Sequence, residues 1–193
     1  WAVINGDKQT GVTTFFLKHE IDTGDICQQR SIDIDEIENV GSVHDRLMHL
    51  GADMVISTVD SIIDGTFETK PQPEGEFMPA PKIFKETCKI EWNKPRECVR
   101  NLVRGLSPYP AAWTPIYKDG AECGSAKIFT TRFELCDHST VPGTLKTDGR
   151  THLAVAAADG WVYIDEMQMA GKRRMAIKDI LLGWRLSNEV FQA

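Results

Sequence analysis

The chain has no apolar run approaching the roughly 18 residues that a membrane-spanning helix needs. Nor does it open on a basic segment followed by an apolar core, so no secretory signal is read there. Its five cysteines, at 27, 88, 98, 123 and 136, form no C-x-x-C pair. An odd, scattered set reads as reduced thiols of a cytosolic protein, not as a disulfide framework or zinc site. The five histidines (19, 44, 49, 138, 152) do not cluster with them, so no metal is expected. Internal repeats and low-complexity tracts are also missing. The first residue is Trp1, not Met, and nothing before Val12 reads as a domain start, so the N-terminus is read as cut.

What is present is an ordinary globular balance of 41% hydrophobic and 26% charged residues. The length of 193 residues suits one large or two small domains, each able to bury a core. The net charge of −6 hides a division. Residues 1–81 carry five Lys/Arg against 15 Asp/Glu, and residues 82–193 carry 17 against 13. Such asymmetry hints at nucleic-acid contact by the basic half. Two independently solvated surfaces are the plainer reading.

Val12 to Leu17 (VTTFFL) and Ile26 to Ile34 (ICQQRSIDI) read as two strands, joined by the turn residues Asp22-Thr23-Gly24-Asp25. Ser42 to Asp64 is the clearest helix. Ser42 is placed to cap it, apolar residues recur at helical spacing, and Gly65 suits its end. Gly51 inside it costs roughly 1 kcal/mol relative to Ala, marking a break or close packing. Residues 68–86 hold four prolines and read as a linker where the charge sign changes. Beyond it, Pro95 to Leu106 reads as a helix with Val99, Leu102, Val103 and Leu106 on its apolar face. Short β-like runs follow at Ala112–Tyr117, Lys127–Leu135, Gly143–Leu145, Leu153–Ala157 and Trp161–Met167. Asp119-Gly120, Pro142-Gly143, Asp148-Gly149 and Asp159-Gly160 separate them. That pattern predicts a small antiparallel barrel, closed by a helix over Ala176–Leu182. The tryptophans are expected to pack rather than to offer stacking platforms.

Several ordered motifs carry a resemblance. They are Thr10-Gly11-Val12-Thr13, Ile21-Asp22-Thr23-Gly24-Asp25-Ile26, Ala80-Pro81-Lys82-Ile83, Lys89-Ile90-Glu91-Trp92 and Arg100-Asn101-Leu102-Val103-Arg104. Ser107-Pro108-Tyr109-Pro110, Trp113-Thr114 and Gln168-Met169-Ala170-Gly171-Lys172-Arg173-Arg174-Met175 complete the set. Together they resemble the methionyl-tRNA formyltransferase family, from about Gly6 to Leu182. The resemblance implies an α/β, partial doubly wound formyltransferase domain over 1–67, a linker over 68–86 and a mostly β, OB-like tRNA-binding barrel over 87–193. It implies formyl transfer from 10-formyltetrahydrofolate to methionyl-initiator-tRNA in translation initiation, in the cytoplasm, by a protein monomeric when complete.

The family's catalytic set is an Asn and a His in an N-x-H motif, and an Asp that maps onto Asp22. No N-x-H occurs in these 193 residues, so the chain by itself is expected to be inactive. The donor chemistry develops an oxyanion that an Asn amide and an imidazolium would stabilise, and a carboxylate beside the imidazole would raise its pKa. Lys18, His19, Glu20, Ile21 and Asp22 correspond to the folate-binding loop. Lys172, Arg173, Arg174 and Lys178 suit a phosphate backbone, as do Arg100 and Arg104, which share a helix face at i, i+4. All six also read as solvated polar residues. Three other readings remain. D-T-G is also the aspartic protease signature, which needs two carboxylates sharing a proton. Another formyltetrahydrofolate-dependent formyltransferase or hydrolase shares the catalytic loop. A non-enzymatic RNA-binding OB-like module would use only the barrel.

Overall fold

A computed structural model of the chain describes residues 1–75, 77–134, 139–186 and 189–191. They fall into two compact units, Asp7–Pro81 and Trp1–Gly6 with the residues from Lys82 onward. The division falls at Pro81/Lys82, and the first six residues group with the second half. A single helical turn there, α1 (Ala2–Asn5), buries Val3.

In the first unit, β1 (Gln9–Phe15) and β2 (Ile26–Asp33) pair antiparallel from Gln9↔Asp33 to Phe15↔Ile26. The Val12–Leu17 strand of the sequence reading therefore starts earlier and stops sooner. Its ladder ends where Phe16 N–H donates to the Asp25 carbonyl at 3.1 Å. Helix α2 (Val40–Ile63) lies on the hairpin. Thr14 and Thr58 hydroxyls meet at 3.0 Å, and Gln28 Nε2 donates to Ser57 Oγ at 3.1 Å. Its cap is Asn39 rather than Ser42: the Asn39 side chain accepts from Ser42 N–H at 3.2 Å. Both residue types cap well, and only the chain path around Glu38 selects the earlier one. Gly51 is ordinary packing, with an added Cβ 3.7 Å from Val12 Cγ1. Val55, Ile56, Val59 and Ile63 on α2 stay exposed.

Of the expected partial doubly wound domain, the described residues show the hairpin of β1 and β2 with helix α2 packed on it. All the pairings between named strands are antiparallel. A ten-residue loop between β1 and β2 can only reverse the chain, since a parallel return needs a longer crossover.

The second unit opens with α3 (Arg96–Leu106), whose first amide donates to the Asp159 carboxylate at 2.7 Å. Strands β3 (Ala112–Lys118), β4 (Ala121–Glu134), β5 (Leu145–Thr147), β6 (Leu153–Ala156) and β7 (Trp161–Met169) follow. A short β8 (Met175–Ala176), helix α4 (Ile177–Leu181) and β9 (Glu189–Phe191) complete it. The sheet order is β5-β6-β7-β4-β3-β9, with β8 beside β7. Its two edges meet: Thr144 bridges Val190, and Phe191 N–H donates to the Gly143 carbonyl at 2.9 Å. The result is a nearly closed antiparallel barrel around Trp92, Leu106, Ile128, Ile164, Met167 and Phe191.

Asp119-Gly120 makes the two-residue turn from β3 to β4, with φ of 51° and 83°. Positive φ at both positions is what a twist-matched hairpin requires. That turn carries pairing straight on from Lys118↔Ala121, so β4 begins at Ala121 and not at the expected Lys127. Leu135, the expected end of that strand, lies outside the described residues, as do Cys136 and His138. Trp92 is fully buried and donates Nε1–H to Thr114 Oγ1 at 3.0 Å, the packing role expected of it. No described helix is long and apolar enough to cross a membrane.

Candidate active-site loop and candidate nucleic-acid surface

The segment between β1 and β2 holds Lys18, His19, Glu20, Ile21 and Asp22 in one exposed loop. Gly24 shapes it. An ideal Cβ there would lie 1.4 Å from the Phe16 carbonyl oxygen, so only glycine lets the two limbs approach. Lys18 Nζ bonds Asp25 Oδ1 at 2.9 Å across the loop. Thr23 Oγ1 donates to the Glu20 carbonyl at 3.0 Å. Asp22 takes a left-handed φ of 60°, which Asp tolerates better than most residues.

A residue that sequence reasoning missed holds this turn from outside. Gln72 Nε2 donates to the carbonyls of Asp22 at 2.7 Å and Gly24 at 2.8 Å. It lies 50 positions away in a proline-rich stretch, and no local pattern marks it. The carboxylate of Asp22, by contrast, has no hydrogen-bond or ion-pair partner among the described residues. The carboxylate pairing a protease would need is not formed, because the neighbouring Asp25 is held by Lys18.

Backbone N–H groups of Lys18, His19, Glu20 and Ile21 have no partner among the described residues. Leu17 and Ile21 beside them are each 88% exposed. No group of three or more His, Cys, Asp or Glu among the described residues is placed to hold a metal ion.

On the barrel, Lys172 and Arg173 are exposed on the turn after β7. Gln168 Nε2 donates to the Lys172 carbonyl at 2.7 Å and fixes that turn. Both side chains line a cavity of about 670 Å³, with Ser125, Met169, Asp179 and Trp184 on its other walls. Neither forms an ion pair among the described residues. Arg174 is committed elsewhere. It pairs with the Glu166 carboxylate and stacks on Phe129, 4.3 Å from the ring centroid. Hydrogen bonding from Arg174 outweighs burial and holds the Glu166 carboxyl below its ordinary range. Lys178 is exposed on α4. Arg100 and Arg104 are half-buried on α3. The first lies 5.4 Å from the Phe133 centroid, and the second donates Nε–H to Asn101 Oδ1 at 2.8 Å.

These features accompany a clear relationship. The formyl transferase family matches residues 1–59, and the formyl transferase C-terminal domain matches residues 82–185. The chain belongs to the formyl transferase family. It is 50% identical over 191 residues to methionyl-tRNA formyltransferase of Bacteroides fragilis, covering 97% of this chain and 59% of that protein. The chain thus spans about three-fifths of the length of the curated relatives it matches. Its fold resembles that of HypX from Aquifex aeolicus in complex with tetrahydrofolic acid, with a TM-score of 0.65 at 19% identity. That likeness covers 98% of this chain and 35% of the other. It also resembles WlaRD, a sugar 3N-formyl transferase, with a TM-score of 0.63 at 18% identity over 89% of this chain and 59% of that one. At such identities the two likenesses concern the fold alone.

Proposed function

We propose that the protein carrying this chain transfers a formyl group from 10-formyltetrahydrofolate to the amino group of methionyl-initiator-tRNA, in the cytoplasm, during translation initiation. The observation that carries this reading is the 50% identity to a methionyl-tRNA formyltransferase, which extends over 97% of the chain. The sugar N-formyltransferases among the similar structures stand at 18% and 27%. On this reading the second unit is an OB-like tRNA-binding barrel.

The donor, when bound, supplies the activated formyl group. Backbone groups of Lys18–Asp22 hold the polar edge of its ring system, and Leu17 and Ile21 cover its faces. The unengaged Asp22 carboxylate takes up or orients a proton at the reacting amine. It also raises the pKa of an imidazole placed within about 4–6 Å. On the barrel, Lys172, Arg173 and Lys178 meet the tRNA phosphates. Arg174 supports their turn through Glu166 and leaves the phosphate contact to its neighbours. Arg100 and Arg104 contribute positive charge from α3.

The test is Asp22→Asn in the polypeptide that carries these residues, assayed with the folate donor and methionyl-tRNA. The kcat should fall by roughly 10²–10⁴, the usual share of a positioned proton-transfer group. Dissociation constants for tRNA should stay within about twofold. Unchanged turnover would remove Asp22 from the mechanism. A formyl acceptor preference for amino sugars over methionyl-tRNA would replace the tRNA reading with the sugar one.

A further inference from the structure

We propose that Gln72 is a positioning residue for the reaction: its side-chain amide sets the conformation of the turn that carries Asp22. This rests on the reading of Asp22 as a catalytic residue.

Three observations converge on it. First, Gln72 spends both N–H donors of its amide on one short turn, at 2.7 Å to the Asp22 carbonyl and 2.8 Å to the Gly24 carbonyl. Two carbonyls flanking Thr23 are thereby drawn to a single nitrogen. That convergence fixes the Asp22–Thr23 and Gly24–Asp25 peptide planes and, with them, the backbone from which the Asp22 side chain projects. Second, Gln72 is itself anchored. Two residues earlier, Lys70 exchanges both backbone hydrogen bonds with Ile26, the first residue of β2, at 2.7 and 2.9 Å. Pro71 and Pro73 on either side restrict the backbone of this stretch. Third, Asp22 sits at a φ of 60°, a conformation that costs a non-glycine residue up to about 1 kcal/mol and that a contact from outside the turn helps to hold. The Thr23–Glu20 and Lys18–Asp25 contacts lie within the loop and move with it. Gln72 ties the turn to the pairing at the base of β2.

The Asp22 carbonyl is at an exposed part of the turn, and water can replace a lost donor there. Removing Gln72 should therefore leave the fold nearly intact and spread the loop over several conformations. The loss then falls on kcat, because a misplacement near 1 Å can cost about 100-fold in rate.

The experiment is a double-mutant cycle in formyl transfer, with Gln72→Glu, Gln72→Lys, Asp22→Asn and Asp22→Asn/Gln72→Glu. At neutral pH a glutamate has the same shape and no donor, whereas a lysine restores donors to both carbonyls. Gln72→Glu should lower kcat by about 10- to 100-fold, with the melting temperature within a few degrees and the KM for tRNA within about twofold. Gln72→Lys should recover most of that loss. In the Asp22→Asn background, Gln72→Glu should cost nothing further. If Gln72→Glu fails to fold, Gln72→Met, similar in length and without donors, carries the same expectation. Full activity of Gln72→Glu beside a crippled Asp22→Asn would overturn the role of Gln72 and leave that of Asp22 standing. An equal loss in both backgrounds would also overturn it. Unchanged kcat in Asp22→Asn would overturn the reading of Asp22 and the role of Gln72 together.

Discussion

Gly24 is the position where a single methyl group meets most resistance. Its ideal Cβ would fall 1.4 Å from the Phe16 carbonyl oxygen and 3.3 Å from Phe15 Cδ2. The first obstacle is backbone and cannot rotate away. Gly24→Ala should therefore destabilise the protein by at least about 1–3 kcal/mol, read as a lower urea midpoint. A different residue-scale effect belongs to Asp148. The Thr151 hydroxyl, and then the backbone N–H groups of Thr151, Arg150 and His152, hold its carboxyl well below the ordinary aspartate range. A carboxyl depressed on folding contributes stability that is present above the unfolded pKa, about 3.9, and is lost as pH falls through the lower folded value. A carbon-detected NMR titration should find Asp148 still ionised near pH 3, and Thr151→Ala should move its midpoint upward. Titration at the ordinary value in the unmodified protein would refute this.

At the scale of elements, the cap of α2 is Asn39 and not the Ser42 that the sequence pointed to. Asn39 accepts from Ser42 N–H at 3.2 Å, while the Ser42 hydroxyl only donates to the Asn39 carbonyl at 3.0 Å. Asn39→Ala should cost about 1 kcal/mol in denaturant unfolding, and Ser42→Ala clearly less. The reverse ranking would return the helix start to Ser42. The elements legible in the sequence are those with many periodic residues or an enforced turn. Helices α2 and α3 announce themselves through apolar spacing, and the β3–β4 hairpin through Asp119-Gly120. The short elements were not legible. The four residues of α1, two of β8 and three of β9 are too few to show a period. Their pairing is decided by what the barrel presents to them.

For the whole molecule, the charge division follows the architecture. All 15 Asp/Glu of residues 1–81 lie within the first unit, Asp7–Pro81. The barrel unit carries the excess of Lys and Arg. Replacing Lys172 and Arg173 together by alanine should weaken tRNA binding and reduce the slope of log K against log salt by about two. Arg174→Ala should leave that slope nearly unchanged and lower the melting temperature, since its guanidinium is tied to Glu166 and Phe129. Binding titrations at several salt concentrations, with a melting curve for each variant, check both statements. An equal fall in slope for Arg174→Ala would place it among the phosphate contacts.

The sequence alone determined the family, the charge boundary, the glycine-bearing Asp22 loop and the principal helices and hairpin turn. Each of these is written in neighbouring residues, whose spacing and backbone preferences act locally. Only the tertiary structure decided that the two edges of the sheet meet at Thr144 and Val190, that Arg174 turns to Glu166, and that Gln72 holds the Asp22 turn. Those contacts join residues from 8 to 50 positions apart. Distant polar groups meet through the path of the whole chain, and no local preference encodes where that path returns.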